Sequence, residues 1–515
     1  MTKVFKILSS LNQLRWKIAI KGILCGLLAG LLVSFYRLCI EYGTEKSLLI
    51  YSFLKKNPIA ILPWLIIAMF LAWFLYRLIK LEPLATGSGI PQVEGILLYG
   101  MKMKWYTILL VRYVGGIIAS FFGLSLGREG PSIQIGASAS QAIAPGISSN
   151  KLEENYLITG GAAAGLSAAF NAPLSGIMFA LEEVHRSFSP LVLIAATTAS
   201  LVADLVSKYF FGLKPVLDFM TIPQMTERVY FWLIPIGLFS GLIGSLTNKS
   251  LLKFQQLYDK VPIYLRPFIA FLIALPFGLV LPQVLGGGQN LIQLSEQGNL
   301  SVDMLLILLG GKLIFTCICF GSGVPGGIFL PILSVGALSG SLVGLFAEQF
   351  GLPSSYIPTF AICAMAGALS GSVKAPITSI LLTAEMTGSL VHLLPVAICS
   401  FIAMFLSDIL KTTPIYEALL ERIANKNKVD IKKNKQGILI EVPVEVGSEA
   451  CGKKISEISW PANSLIVGIH RGNRDLVPNG STRMMPGDYL IVLAAEQALM
   501  DINTQIKALC YIKSL

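Results

Sequence analysis

The chain has 515 residues, of which 54% are hydrophobic and only 13% charged, with a formal charge of +11 and a mean hydropathy of +0.70. A soluble domain carries about 25% charged residues, so an ordinary soluble enzyme is excluded. The last 95 positions hold 23 charged residues and the first 420 only 46, so residues 1–420 read as an integral membrane domain, 421–436 as a basic linker and 437–515 as a small water-exposed domain. In chain order, Lys3, Lys6, Arg15, Lys17 and Lys21 precede the first apolar run, and Arg422, Lys426, Lys428, Lys432, Lys433 and Lys435 follow the last. Basic clusters beside spans mark the cytoplasmic side, which places both termini there. Charges that flank a bilayer need no further partner, so no nucleic acid polymer is expected. The first apolar run continues past Arg37 without a small-residue cleavage site, so no signal peptide is read there.

Three stretches then share one layout, glycine giving way to proline at the start of a predicted helix. They are Gly87-Ser88-Gly89-Ile90-Pro91, Gly127-Arg128-Glu129-Gly130-Pro131 and Gly323-Val324-Pro325-Gly326-Gly327-Ile328-Phe329-Leu330-Pro331. Proline suits a first helical turn, and glycine lets backbone approach a ligand. The unpaired N–H groups and positive dipole end of each helix then face whatever lies before it. One such start is compatible with simple helix punctuation; three converging would make an anion site without a buried cation, from which an ion can also leave quickly.

The stretches 267–295, 313–347, 349–373 and 386–407 carry no charge, yet Gly and Pro interrupt them, as in Gly286-Gly287-Gly288. Broken helices at membrane depth are tolerated where they line a cavity or lie inside protein, which points to a transporter or channel. The segment from Asn171-Ala172-Pro173 to Glu182 matches that from Lys374-Ala375-Pro376 to Glu385 without a gap, at an offset of 203. Both copies follow small-residue runs, at 161–165 and 366–371, that suit close helix packing in lipid. Two related halves with substrate at their interface is a transporter plan.

The cysteines make no framework: Cys25, Cys39, Cys317, Cys319, Cys363 and Cys399 lie in apolar runs, Cys451 and Cys510 in the tail. His185, His392 and His470 are scattered, so no metal site is expected. In the tail, 438–446, 464–470 and 489–493 read as short strands, Asn479-Gly480 and Pro486-Gly487 as turns, and 450–458 and 496–508 as helical.

Gly-Ser-Gly-Ile-Pro at 87–91, Gly-Arg-Glu-Gly-Pro at 127–131 and Gly-Gly-Ile-Phe-Leu-Pro at 326–331, with the Asn-Ala-Pro and Lys-Ala-Pro helices, resemble the signature loops and repeat markers of the CLC chloride channel and transporter family over about residues 15–425. The resemblance implies an all-α polytopic membrane protein of two inverted repeats, about 15–210 and 230–420, with broken and tilted helices, assembled as a homodimer with one pore per subunit. It implies that Ser88 and Tyr416 offer hydroxyls to a central chloride, and that the backbone N–H groups of Ile328 and Phe329 complete the cage. Gly87, Gly89, Pro91, Gly130, Gly326 and Gly327 shape the loops. Glu129 falls on the external gate and proton acceptor, since a carboxylate both mimics an anion and carries a proton. Arg128 either tunes the local potential or pairs near the surface, the second being favoured. Glu183 falls on the family's internal proton-transfer glutamate, where typical channels carry an apolar residue; Glu182 is read as solvated, and Glu94 and Glu385 as structural acids. Serine at 88 favours chloride over nitrate or fluoride, and Gln92 stands where several relatives have an acid.

The tail resembles the TrkA-C module of RCK potassium-regulatory proteins, through Glu441-Val442-Pro443-Val444, a helix from Gly452 to Ile458, the run from Asn463 to Ile469, Val477-Pro478-Asn479-Gly480 and Pro486-Gly487-Asp488-Tyr489-Leu490. That implies a small cytoplasmic α/β (α+β) domain that dimerises and, in some members, binds a small nucleotide such as a cyclic dinucleotide. The reading is a bacterial inner-membrane H⁺/Cl⁻ antiporter with chloride and protons as substrates, membrane lipid around it, and no cofactor. The alternatives are a passive chloride channel of the same fold and an RCK-regulated cation transporter. The second lacks a carbonyl-filter sequence, and no nucleophile–base set suggests an enzyme.

Overall fold

The structure is a computed structural model that describes residues 2–217, 219, 223–298, 300–427, 437–462, 464–471, 474–495 and 499–511. The chain divides into two compact units, Met1–Ile423 and Ala424–Leu515.

The first unit is helical. Its first half holds α1 (Thr2–Lys56), α2 (Ile61–Leu81), α3 (Ile90–Tyr99), α4 (Trp105–Phe121), α5 (Glu129–Ile147), α6 (Lys151–Phe170), α7 (Pro173–Phe179) and α8 (Pro190–Phe211), with a π-helical turn at Ala180–Val184. There follow α9 (Leu233–Asp259), α10 (Arg266–Val280), α11 (Gln289–Glu296), α12 (Val302–Gly321), α13 (Phe329–Glu348), α14 (Ile357–Val373), α15 (Pro376–Thr387), α16 (Leu393–Ile409) and α17 (Ile415–Asn427). Among the described residues seven helical segments are long and apolar enough to cross a membrane. The segment containing α2 is only 22% buried inside the protein, that containing α14 89%, so α2 presents its apolar face outward and α14 lies in the protein interior.

The small residues of α5 and α6 bring their backbones into contact. A β-carbon at Gly136 would sit 3.0 Å from the Gly165 Cα, and one at Gly165 3.0 Å from the Ile133 Cα. Lipid supplies little drive for helices to associate, so such close packing carries the load instead. Serines lock the next layer. Ser167 donates to the Ser200 carbonyl at 2.9 Å and Ser207 to the Ala168 carbonyl at 2.9 Å. In the second half Ser370 donates to the Ser400 carbonyl at 2.9 Å and Ser407 to the Gly371 carbonyl at 2.7 Å. The helices that precede the matched segments also end alike, α6 on Asn171 at φ 53° and α14 on Lys374 at φ 63°.

In the second unit an antiparallel sheet in the order β1-β4-β2-β3 is built from β1 (Gly437–Pro443), β2 (Ser464–Arg471), β3 (Arg474–Leu476) and β4 (Tyr489–Ala495). It packs with α18 (Leu499–Cys510) over Val442, Ile469, Leu490, Val492, Ile502 and Ile506. Arg471 grips Asp488 through two bonds of 2.8 and 2.7 Å.

Three expectations change. The helix read at 450–458 is a run of turns with one 3₁₀ turn at Ile455–Glu457, because Gly452 sits at φ 78°, outside the helical region. The first tail strand stops at Pro443 instead of running to 446, because its partner β4 begins at Tyr489, directly opposite Pro443. Helix α17 continues through Asn427, past the expected linker start at 421; Leu419, Leu420 and Ala424 are buried along it. The linker residues 428–436 lie outside the described residues, as do 496–498 of the expected last helix.

Candidate ion-transport site

The three glycine-to-proline loops meet. Gly127 donates its N–H to the Gly327 carbonyl at 2.7 Å, Gly327 returns the bond to Gly127 at 2.6 Å, and Gly326 donates to the Gly87 carbonyl at 3.1 Å. Helices α3, α5 and α13 start from this junction, and none of the three has a side-chain cap. Their first N–H groups therefore keep the donor capacity and positive dipole end that suit an anion. Two glycines are dictated by the geometry. Gly89, with Pro91 two residues on, turns the chain into α3 at φ 98°, and a β-carbon there would lie 2.8 Å from Arg112 Nη2. A β-carbon at Gly130 would collide with the carbonyl and hydroxyl of Ser88.

Glu129 opens α5, is fully buried, and its two carboxylate oxygens meet no hydrogen-bond partner among the described residues. The side chain folds back over Gly127 and its carboxylate faces the backbone N–H of Leu330 in the first turn of α13. Ser88 and Tyr416 are buried, and their hydroxyls meet no hydrogen-bond partner among the described residues. Tyr416 lies beside Ser88 and within electrostatic reach of both Glu129 and Glu183. Ile328 and Phe329 are buried at the start of α13, with the Phe329 ring against Phe170 and Phe179. The structure thus brings Ser88, Glu129, Ile328, Phe329 and Tyr416 to one place, while Glu183 sits apart in the π-helical turn after α7.

That turn splits two neighbouring acids. Glu182 accepts from the N–H groups of Ile377 and Thr378 at 3.3 and 2.9 Å and from the Thr378 hydroxyl at 2.7 Å, capping α15. Its counterpart Glu385 accepts from the N–H groups of Leu174 and Ser175 at 3.0 and 2.8 Å and from the Ser175 hydroxyl, capping α7. Glu182 is therefore not the solvated acid expected from the sequence, because the uncapped donors at the start of α15 claim it. The exchange is reciprocal, as a two-fold relation requires. Glu183, one residue on, is buried, and its Oε1 makes no hydrogen bond among the described residues.

Arg128 pairs as expected, with Glu41 at 2.6 Å, but it is buried and not superficial, 5% exposed. Arg37 shares the same Glu41 oxygen at 3.0 Å and reaches Asn171 at 2.9 Å. Arg112 and Gln134, which the sequence reading passed over, stand with Gln92 behind the first loop. Arg112 of α4 is fully buried and donates to the Gly87 carbonyl and to Gln134. Gln92 and Gln134 brace the same loop through the carbonyls of Thr86 and Leu84 at 2.8 and 3.0 Å. A buried cation therefore backs the loop after all, satisfied by carbonyls. Its signal was available: Arg112 is the sole charge between residues 105 and 127. Lys312, also fully buried, caps the carbonyls of Val284 and Gly286 at 3.1 and 2.6 Å.

Residues 67–408 match the family described as "Voltage gated chloride channel", and residues 439–507 match the TrkA-C domain. The chain is 34% identical over 387 residues to an H⁺/Cl⁻ exchange transporter, ClcA, of Citrobacter koseri, covering 72% of this chain and 80% of that one. It is 33% identical, with the same coverage, to the ClcA of Salmonella agona. Among solved structures, a slow cyanobacterial Cl⁻/H⁺ antiporter aligns with a TM-score of 0.75 at 28% identity, over 80% of this chain and 99% of that one. A CLC-type fluoride/proton antiporter aligns with a TM-score of 0.62 at 24% identity, over 78% of this chain and 96% of that one, and so shares the fold. Three converging helix starts, their buried glutamate and the matched family together make this chain a multi-pass membrane protein of the voltage-gated chloride channel (CLC) family, extended by a TrkA-C domain.

Proposed function

We propose that the protein is a proton-coupled chloride antiporter. The observation that carries this reading is the second buried acid: Glu183 is buried like Glu129, and Tyr416 lies within electrostatic reach of both. Chloride binds between the Ser88 and Tyr416 hydroxyls, which donate to it, and the backbone N–H groups of Ile328 and Phe329. These donors are neutral, so the ion sheds water on entry and still leaves readily. Glu129, its carboxylate aimed at the first turn of α13, competes with the anion while charged and swings away once protonated. Glu183 delivers that proton from the cytoplasmic side by a route separate from the chloride path. Gly87, Gly89, Pro91, Gly130, Gly326 and Gly327 hold the loops open, and the Arg128–Glu41 pair fixes the backbone before Glu129. The printed activity of the ClcA relatives and of the cyanobacterial neighbour supports the assignment, and serine at 88 supports chloride as the anion.

The protein works as a homodimer in a bacterial inner membrane with both termini in the cytoplasm, and the TrkA-C unit biases transport on binding a small nucleotide. Titration of the full chain with cyclic dinucleotides by calorimetry checks the last point; no heat counts against it. For the transport reading, protein in chloride-loaded vesicles should take up protons against a pH gradient as chloride leaves. Glu183→Ala should abolish proton uptake, and Glu129→Ala should leave chloride flux without protons. Proton uptake that survives Glu183→Ala removes that residue from the pathway.

A further inference from the structure

The transport reading uses Glu183 and gives no task to the cation beside it. Arg186 follows the π-helical turn at φ 52°, a backbone conformation that chirality disfavours for any residue with a β-carbon. A π-helical turn is itself a common mark of a functional site. The strained turn has a visible result. Arg186 Nη2 lies 2.7 Å from Glu94 Oε1 of α3 and 3.9 Å from Glu183 Oε1. Its Nε also donates to the Glu183 carbonyl at 3.4 Å.

The burial is graded. The Glu94 and Glu183 side chains are 1% and 7% exposed, while that of Arg186 is 30% exposed. Both Glu94 oxygens and Glu183 Oε1 lack hydrogen-bond partners among the described residues, so Arg186 is the charge that compensates them. Glu417 of α17 and Tyr99 of α3 also lie within its electrostatic reach, and Glu182 adjoins Glu183. His185, the imidazole of the same turn, is directed to Thr159 at 3.0 Å and to the Tyr156 ring. Two buried carboxylates under one guanidinium do not ionise independently; Glu94 and Glu183 take up and release protons as one set. The cation facing solvent decides how tightly that set holds its proton.

We propose that Arg186 is a positioning residue for the inner proton step: it ties Glu94 to Glu183 and sets the pH at which this acid pair exchanges its proton. The inference rests on Glu183 as the inner proton carrier. It adds Glu94 as a working member of that step and makes the left-handed turn at 186 the device that holds the two acids under one charge.

The test is the pH dependence of proton-coupled chloride transport by the full chain in vesicles, with both fluxes measured. Removing a positive charge favours the protonated acid. Arg186→Gln should therefore move the midpoint of proton transport to higher pH by about one unit, the Coulomb attraction at this separation even in a water-like dielectric. Arg186→Lys, which keeps the charge, should recover most of the shift. Glu94→Gln alone should move the midpoint to lower pH, because it removes a like charge and leaves Arg186 to Glu183; this arm carries the test if Arg186→Gln does not reconstitute. A midpoint unmoved by Arg186→Gln, or moved to higher pH by Glu94→Gln, overturns the inference. Glu183→Gln separates the two levels. If it abolishes proton flux while the Arg186 and Glu94 variants leave the midpoint in place, only this inference fails; if proton flux survives it, the underlying reading fails.

Discussion

Glu182 and Glu385 cap each other's repeat helix, so equal truncations should cost equal stability. Glu182→Ala strips the acceptor from the N–H groups of Ile377 and Thr378 and from the Thr378 hydroxyl. Glu385→Ala does the same to the N–H groups of Leu174 and Ser175 and the Ser175 hydroxyl. In each set the first N–H is exposed and water replaces its partner, whereas the second N–H and the hydroxyl are partly buried. At about 1.5 kcal/mol for each of those two bonds to a charged acceptor, either variant loses about 3 kcal/mol. Denaturant unfolding in detergent micelles should find the two losses within about 1 kcal/mol of each other, the scale on which neighbouring contacts depart from independence. Function should divide where stability does not. Glu182 directly precedes Glu183, while Glu385 precedes Met386, so only Glu182→Ala should also impair proton transport. A loss below about 0.5 kcal/mol in either variant, within the range of an ordinary surface change, would refute the reciprocal capping. Equal damage to proton transport would refute the division of labour between the adjacent acids.

Gly130→Ala drives a β-carbon into the Ser88 carbonyl and hydroxyl; chloride affinity by calorimetry should fall tenfold or more, about 1.4 kcal/mol. Gly146→Ala on the same helix, where a β-carbon meets nothing within 4 Å, should leave it unchanged. Glycine at the two left-handed helix ends should act with opposite sign. Lys374→Gly relieves the strained backbone and gives up an Asp408 pair that is 53% exposed on the acid side, a net gain of roughly 0.5 kcal/mol in the unfolding assay. Asn171→Gly loses the bonds from Arg37 and Ser207 at 2.9 and 2.8 Å and should cost about 1–2 kcal/mol. Burial pushes the Cys510 thiol from 9.0 up to about 11, so it stays protonated at neutral pH, and a maleimide should label half-buried Cys451 first. Because the folded value is the higher one, this thiol's stabilising contribution is complete below pH 9.0 and is lost between 9.0 and about 11; a pH series of tail unfolding should show the decline there.

What was legible in the sequence was local. Glycine followed by proline announces a helix start wherever it stands, so α3, α5 and α13 could be placed from residues 87–91, 127–131 and 323–331. That the three starts meet depends on bonds such as Gly127 to Gly327, between residues too far apart for any local pattern to report. The gapless match of 171–182 to 374–385 revealed the repeat, yet the capping across it was hidden, since an acid's partner is chosen by packing. Helical periodicity also puts Glu182 and Glu183 on neighbouring positions of one helix; the π-helical turn, which no composition signals, sends them to different tasks. Arg112 went unread, although its isolation in an apolar stretch was the clue. The tail helix read at 450–458 failed on the single backbone choice at Gly452.

The most direct test measures chloride and proton fluxes together in vesicles holding the unmodified protein. An outward chloride gradient should pull protons inward against their own gradient, and Glu183→Ala should stop the protons. Chloride leaving with no accompanying proton movement would contradict antiport and make the same fold a channel.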